Sequence, residues 1–73
     1  SFSLKENSPV TIDIYNVKGQ LVKQLVNEAM QAGNHTVVWN GKDQNNKSVS
    51  SGVYFYRMQS NNYAGTKKML LMK

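Results

Sequence analysis

The sequence predicts an all-β fold, an antiparallel sandwich of six or seven short strands. Apolar and polar residues alternate with a period of two, turn residues recur at short intervals, and aromatic and β-branched residues concentrate in the alternating segments. A chain of 73 residues without cysteine has room for one small core and no disulfide to support it. We therefore expect one domain over residues 1–73, stabilised by a modest apolar interior.

The clearest strand covers residues 10–15, in which apolar and polar side chains alternate strictly. Its apolar members are Val10, Ile12 and Ile14. Alternation of this kind places them on one face of a half-buried strand. Gly19 can supply the positive φ of a hairpin turn, which returns residues 21–26 beside the first strand. Residues 17–30 also show helical spacing, but the glycine inside that stretch favours a strand.

Two further segments complete the expected core. Residues 35–39 alternate and predict a central strand, with Trp39 at the heart of the sandwich and its indole N–H paired. Residues 53–59 are rich in aromatic residues, and Tyr54 lies on their expected inner face. The predicted core residues are Val10, Ile12, Ile14, Val37, Trp39 and Tyr54.

The remaining segments are a polar loop and two terminal strands. Residues 41–51 form the loop, in which Val49 alone can reach the core. Residues 63–72 predict a last strand, and residues 1–4 a short first one, with a turn at Ser60-Asn61-Asn62 between the last two strands. Six or seven strands separated by turns are typical of an immunoglobulin- or fibronectin-III-like sandwich.

Charge and hydropathy narrow the class of protein. The net charge of +5 comes from nine Lys and Arg spread along the chain, which indicates a solvated surface, and no nucleic-acid partner is expected. No apolar run is long enough to span a membrane. The chain starts without an initiating Met or a signal-peptide core, so we expect a monomeric fragment of a longer chain.

The sequence offers little for catalysis. His35 is the one side chain that titrates near neutral pH, and its alternation with Val37 and Trp39 favours a structural position. Asp43 and Asn45 begin like a calcium loop, but Lys47 occupies the next ligand position. We expect no enzyme activity, no metal and no cofactor.

Three segments together resemble a known family. Their most specific parts are Trp39-Asn40-Gly41-Lys42-Asp43 and Ser51-Gly52-Val53-Tyr54, and residues 10–19 complete the pattern. It looks like the type A C-terminal sorting domain of the type IX secretion system. The immunoglobulin-like domain of the flagellar hook-capping protein shares the pattern. Where related sequences carry a glycine turn after Asp43, this chain has Asn45-Asn46, which requires Asn46 to adopt a left-handed conformation.

The resemblance implies that residues 1–73 are the C-terminal domain of a larger exported protein and serve as a sorting module that acts by recognition. Its partners would be the parent protein upstream, an outer-membrane secretion machinery and a sortase-like peptidase, and its destination the cell surface or the exterior after transit through the periplasm. We expect docking of the last strand by strand addition, together with the turn after Trp39. The expected recognition residues are Lys67, Lys68, Met69, Leu70, Leu71, Met72, Lys73, Asn40, Gly41 and Asp43.

Two other functions fit the same residues. The first is a structural spacer or assembly domain, as the hook-capping resemblance implies, in which the paired lysines only protect a sheet edge. The second is a carbohydrate-binding accessory module of a hydrolase, which would require exposed, coplanar rings among the tyrosines. These tyrosines are Tyr15, Tyr54, Tyr56 and Tyr63.

Overall fold

The fold consists of strands, turns and loops in a computed structural model that describes residues 2–61 and 63–72. Three residues named above, Ser1, Asn62 and Lys73, lie outside the described residues. No described segment forms a helix that could cross a bilayer. The strands are β1 (Phe2–Leu4), β2 (Ser8–Asn16), β3 (Leu21–Met30), β4 (Gly33–His35), β5 (Gly52–Ser60) and β6 (Tyr63–Leu71).

The strands form two antiparallel sheets that pack face to face. The larger sheet has the order β3-β2-β5-β6, and the smaller one pairs β1 with β4. The all-β, immunoglobulin-like sandwich predicted from the alternation is confirmed. Strands β2 and β5 lie at the centre of the larger sheet, while β3 and β6 form its edges.

The core lies between the sheets, against the inner face of β2. Val10 and Ile14 are each 1% exposed and Ile12 is 5% exposed. Met58 and Tyr54 of β5 are buried on the same face, and Leu4 of β1 closes the core from the smaller sheet. The half-buried residues that pack against this cluster are Phe2, Leu25, Val26, Met30, Val37 and Tyr56.

The β2–β3 hairpin closes as its sequence predicts. Gly19 has a φ of 80°, a conformation that glycine adopts without the steric cost of a Cβ. The side-chain oxygen of Asn16 accepts hydrogen bonds from the backbone N–H groups of Lys18 and Gln20, each at 3.0 Å. These bonds satisfy turn amides that have no partner in the ladder.

Strand β3 extends to Met30, four residues beyond the predicted Val26. Its pairing with β2 contains two bulges, at Val22 and Leu25, which have no register partner on β2. A bulge adds one residue and breaks the strict alternation of side chains. This accounts for the helix-like spacing of apolar residues in the sequence of a strand.

The expectation of a central strand through Trp39 is wrong. Strand β4 ends at His35, and residues 36–40 pair with no strand in the part of the chain that the structure describes. Trp39 is half-buried at the margin of the core, where its ring meets Tyr54 edge-on at a centroid distance of 5.1 Å. Its indole N–H donates to the carbonyl oxygen of Lys42 at 2.9 Å.

Removing one methyl group from the most buried isoleucine tests this packing. We expect Ile14→Val to lower the free energy of unfolding by about 0.5–1.5 kcal/mol, because it leaves a void that the core closes only in part. Leu70→Ala is the control, since Leu70 is 65% exposed and its loss costs at most about 0.5 kcal/mol. Urea denaturation followed by Trp39 fluorescence measures both. Equal costs for the two variants would contradict the assigned core.

Candidate interaction surfaces

The predicted recognition turn after Trp39 is a compact structure built on Asp43. One oxygen of its carboxylate accepts hydrogen bonds from the backbone N–H groups of Asn45 at 2.9 Å and Lys47 at 3.0 Å. The Asp43 N–H donates to the Lys47 carbonyl at 2.8 Å, and Asn46 has a φ of 64°. The left-handed conformation predicted for Asn46 is therefore present. Gly41 is buried, while Asn40 is exposed and bonds its own turn.

This turn covers the outer edge of β3. Gln44 donates its backbone N–H to the Val22 carbonyl at 3.1 Å, and its side-chain oxygen accepts from the Gln24 N–H at 3.0 Å. Val22 is one of the two bulge residues, which have no register partner on β2. Its backbone carbonyl accepts a hydrogen bond from the loop instead. Covering an edge in this way prevents its pairing with other chains.

The opposite edge of the larger sheet is β6, and two lysines lie at the middle of this strand. Lys67 pairs with Tyr56 on the inner face, and Lys68 pairs with Phe55 on the outer face. Both lysines are exposed. Toward the end of the strand Met69 and Leu71 are half-buried, whereas Leu70 is 65% exposed and Met72, just after the strand, 78% exposed.

The predicted recognition residues thus fall into two separate groups. The turn of Asn40, Gly41 and Asp43 belongs to the β3 side, and residues 67–72 belong to the β6 edge, with β2 and β5 between them. Lys73 lies outside the described residues. The structure does not bring the two groups together into one site.

The outer face of the larger sheet carries an apolar surface that was not predicted from the sequence. Leu21, Tyr15, Phe55 and Lys68 follow one another across the four strands as register partners, so their side chains share one face. Val53 and Leu70 are paired two positions further along the same face. We call this surface the outer apolar band and define it by Leu21, Tyr15, Phe55, Val53 and Leu70.

The outer face of an antiparallel sheet is ordinarily polar, and here it is not. Leu21 and Leu70, at the two ends of the band, are 59% and 65% exposed, and the residues between them are half-buried. Strands lie about 4.8 Å apart, so the band extends roughly 14 Å across the sheet. The sequence did contain a signal for this surface. In the β5 segment Val53 and Phe55 are apolar although they alternate with the inner residues, at positions where a strand with one solvated face usually has polar residues.

Two of the other candidate residues, His35 and Tyr54, have structural partners. The Nε2–H group of His35 donates to the Gln31 carbonyl at 2.6 Å, and its ring stacks on Phe2 at 5.5 Å. Tyr54 is buried and donates its hydroxyl hydrogen to the Ser50 carbonyl at 2.6 Å. Tyr63 is 49% exposed on the opposite face of the sheet from Tyr15. Among the described residues no three His, Asp or Glu side chains gather around a common metal position.

The model of the FlgD Ig-like domain matches residues 1–64. The chain belongs to the FlgD Ig-like domain family. The match of this FlgD Ig-like domain ends just inside β6, so most of that edge strand lies beyond the matched range. No curated protein and no solved structure matches the chain.

The structural role assigned to Asp43 predicts the effect of its removal. We expect Asp43→Ala to lower the free energy of unfolding by about 1–3 kcal/mol, because two loop N–H groups lose their acceptor. Asp43→Asn retains a side-chain oxygen at the same place and should recover at least half of that loss. Glu28→Gln, at an exposed acid on β3, controls for the change in charge. Thermal and urea unfolding measure all three, and equal stability of Asp43→Ala and the parent would contradict the role.

Proposed function

We propose that this domain is a non-catalytic assembly module, which docks a larger protein onto another protein through the outer apolar band. The observation that carries the proposal is the exposure of Leu21 and Leu70 at the two ends of a continuous apolar surface. Contiguous apolar patches on a soluble domain commonly mark interfaces with other proteins. Membership of the FlgD Ig-like domain family supports a structural role.

The polar groups of the chain support the same proposal. Asp43 holds the loop that covers β3, Asn16 holds the hairpin, and His35 bonds the Gln31 carbonyl. Each of these groups already has a partner that stabilises a turn or a strand end. The polar side chains that could take part in catalysis are thus used in hydrogen bonds to the backbone, as expected of a structural domain.

Charge refines the expected partner. Lys68 lies in the same row as Leu21, Tyr15 and Phe55. Arg57 lies on the same face, where it is the register partner of Asp13 on the neighbouring strand. A partner surface that combines apolar residues with carboxylates at its rim complements this arrangement. Such rim charges act mainly on the rate and specificity of association.

Site-specific photo-cross-linking in cells tests the docking surface. The full-length parent protein, in its own cells, carries a photoreactive phenylalanine analogue at position 21 or at position 70. We expect both positions to cross-link to the same protein, because the two leucines lie at opposite ends of one surface. Position 64 is the control, since Ala64 is exposed on the same face of β6 at its other end.

A second substitution sharpens this experiment. Leu70→Ser should reduce the cross-link formed from position 21 by about tenfold or more, because burial of a leucine contributes about 1.5–3 kcal/mol to an interface. Cross-links from position 64 as strong as those from 21 and 70, or different products from 21 and 70, would overturn the proposal.

A second function, sorting by a type IX secretion system, is favoured by one observation. Strand β6 is an uncovered edge of the described sheet, and its last residues include the exposed Leu70 and Met72. In this function an outer-membrane translocon pairs with that edge, and a sortase-like peptidase then removes the domain. The parent protein would be exported through the periplasm to the cell surface.

A reporter fusion separates sorting from assembly. Residues 1–73 are placed at the C-terminus of a signal-peptide-bearing fluorescent protein in a bacterium with an active type IX system. Sorting predicts surface fluorescence that is lost without residues 67–73 and reduced by Leu70→Ser with Met72→Ser, two exposed positions whose change leaves the core intact. Periplasmic retention of every fusion supports the assembly module alone.

A further inference from the structure

A groove opens between the two sheets on the β6 side. Its volume is about 690 Å³, and its walls come from β1, from Val37 and Trp39, and from the inner side of all four strands of the larger sheet. The smaller sheet has two strands and the larger has four, so the inner face near β6 has no strand above it among the described residues. The principal apolar residues of the lining are Phe2, Leu4, Trp39, Tyr56, Met58 and Met69.

Strand β1 presents to this groove a backbone edge that is unpaired among the described residues. Its three residues pair with β4 on one side, and no residue of β4 lines the groove. The other side of β1 therefore borders the open space. A strand edge with unpaired N–H and C=O groups is the surface on which an added strand forms main-chain hydrogen bonds.

The dimensions suit an extended chain. Alternate residues of β6 line the groove from Tyr63 through Gly65 and Lys67 to Met69. Six residue steps of about 3.3 Å each give a length of roughly 20 Å, which six or seven residues of a strand fill. A compact small molecule would occupy only a part of that length.

The charges define the sequence that would fit. Lys67 and Lys5 line the groove together with a single acid, Glu6. Lys67 stands between Gly65 and Met69 on the inner face, so a carboxylate near the middle of an added strand would meet it. A second copy of this chain is a poor occupant, because its net charge of +5 repels an equally basic molecule.

We propose that this groove binds an extended peptide segment of a partner protein as a third strand beside β1. The inward side chains of that segment are aliphatic, acidic and aliphatic in turn, with the central carboxylate paired to Lys67. This site lies on the inner face of the larger sheet and is independent of the outer apolar band. Lys67 and Met69 also lie beyond residues 1–64, the range that the family model matches.

Trp39 supplies the readout, since it is the single tryptophan of the chain and lines the groove. The probe is the capped heptapeptide Thr-Val-Thr-Asp-Thr-Val-Thr, whose two valines and aspartate all point inward when it binds as a strand. We expect a saturable change in Trp39 fluorescence and slower amide hydrogen exchange at Ser3 or its neighbours in β1. Val-Thr-Thr-Asp-Thr-Thr-Val has the same composition with its valines in the opposite register, and should bind more weakly.

Charge exchange tests the role of Lys67. Replacing the peptide aspartate by asparagine should weaken binding about three- to fivefold, the range of a partly exposed ion pair. Lys67→Gln should abolish that difference, and Lys67→Glu should favour a peptide with a central lysine. Lys47→Gln is the matched control, because Lys47 is also exposed but lies in the Asp43 turn outside the groove.

Each other outcome counts against the proposal. Equal affinity for aspartate, asparagine and lysine peptides, or no binding by any of them, overturns it. Binding without protection of β1 amides means that the groove accepts a ligand in another way. Concentration-dependent dimerisation that alters Trp39 fluorescence in the absence of peptide identifies a second copy as the occupant. The thermal unfolding of each variant, expected within a few degrees of the parent, shows that these results do not come from unfolding.

Discussion

The burial of one face of β2 is the constraint on which the rest of this domain depends. Val10, Ile12 and Ile14 are the most consistently buried set in the chain, and β2 is the strand that joins β3 to the rest of the larger sheet. With no disulfide available, the free energy of folding must come from this apolar face and from what packs on it. The register of β2 therefore decides which side of the other strands faces the core.

The parts of the fold that followed from sequence are those governed by local rules. The alternation through Ile12 and the glycine turn after Asn16 each depend on a few neighbouring residues, and both are present. The left-handed Asn46 was predicted differently, from the resemblance, because related sequences carry a glycine turn at that place. The prediction of a strand through Trp39 failed because a strand needs a hydrogen-bonded partner, and the alternation of residues 35–39 does not show whether one is present.

The candidate surfaces were less predictable for the same reason. Residues 67–72 and the Asp43 turn were each predicted from the resemblance, but their separation by β2 and β5 depends on strand order. The outer apolar band joins Leu21, Phe55 and Leu70, which are distant in sequence and meet only through the register of three ladders. The groove beside β1 is a property of two sheets of unequal width, which no single segment encodes.

The two bulges of β3 have a consequence for how the chain can change length. Ten residues of β3 lie opposite eight of β2, because Val22 and Leu25 are passed over by the ladder. Loss of either residue would straighten the strand locally and leave the pairing of the other positions intact, whereas a deletion in β2 would turn the following side chains to the wrong face. Natural variants with insertions and deletions should therefore collect in β3 and spare β2, so that one edge of the sheet absorbs changes that its centre cannot.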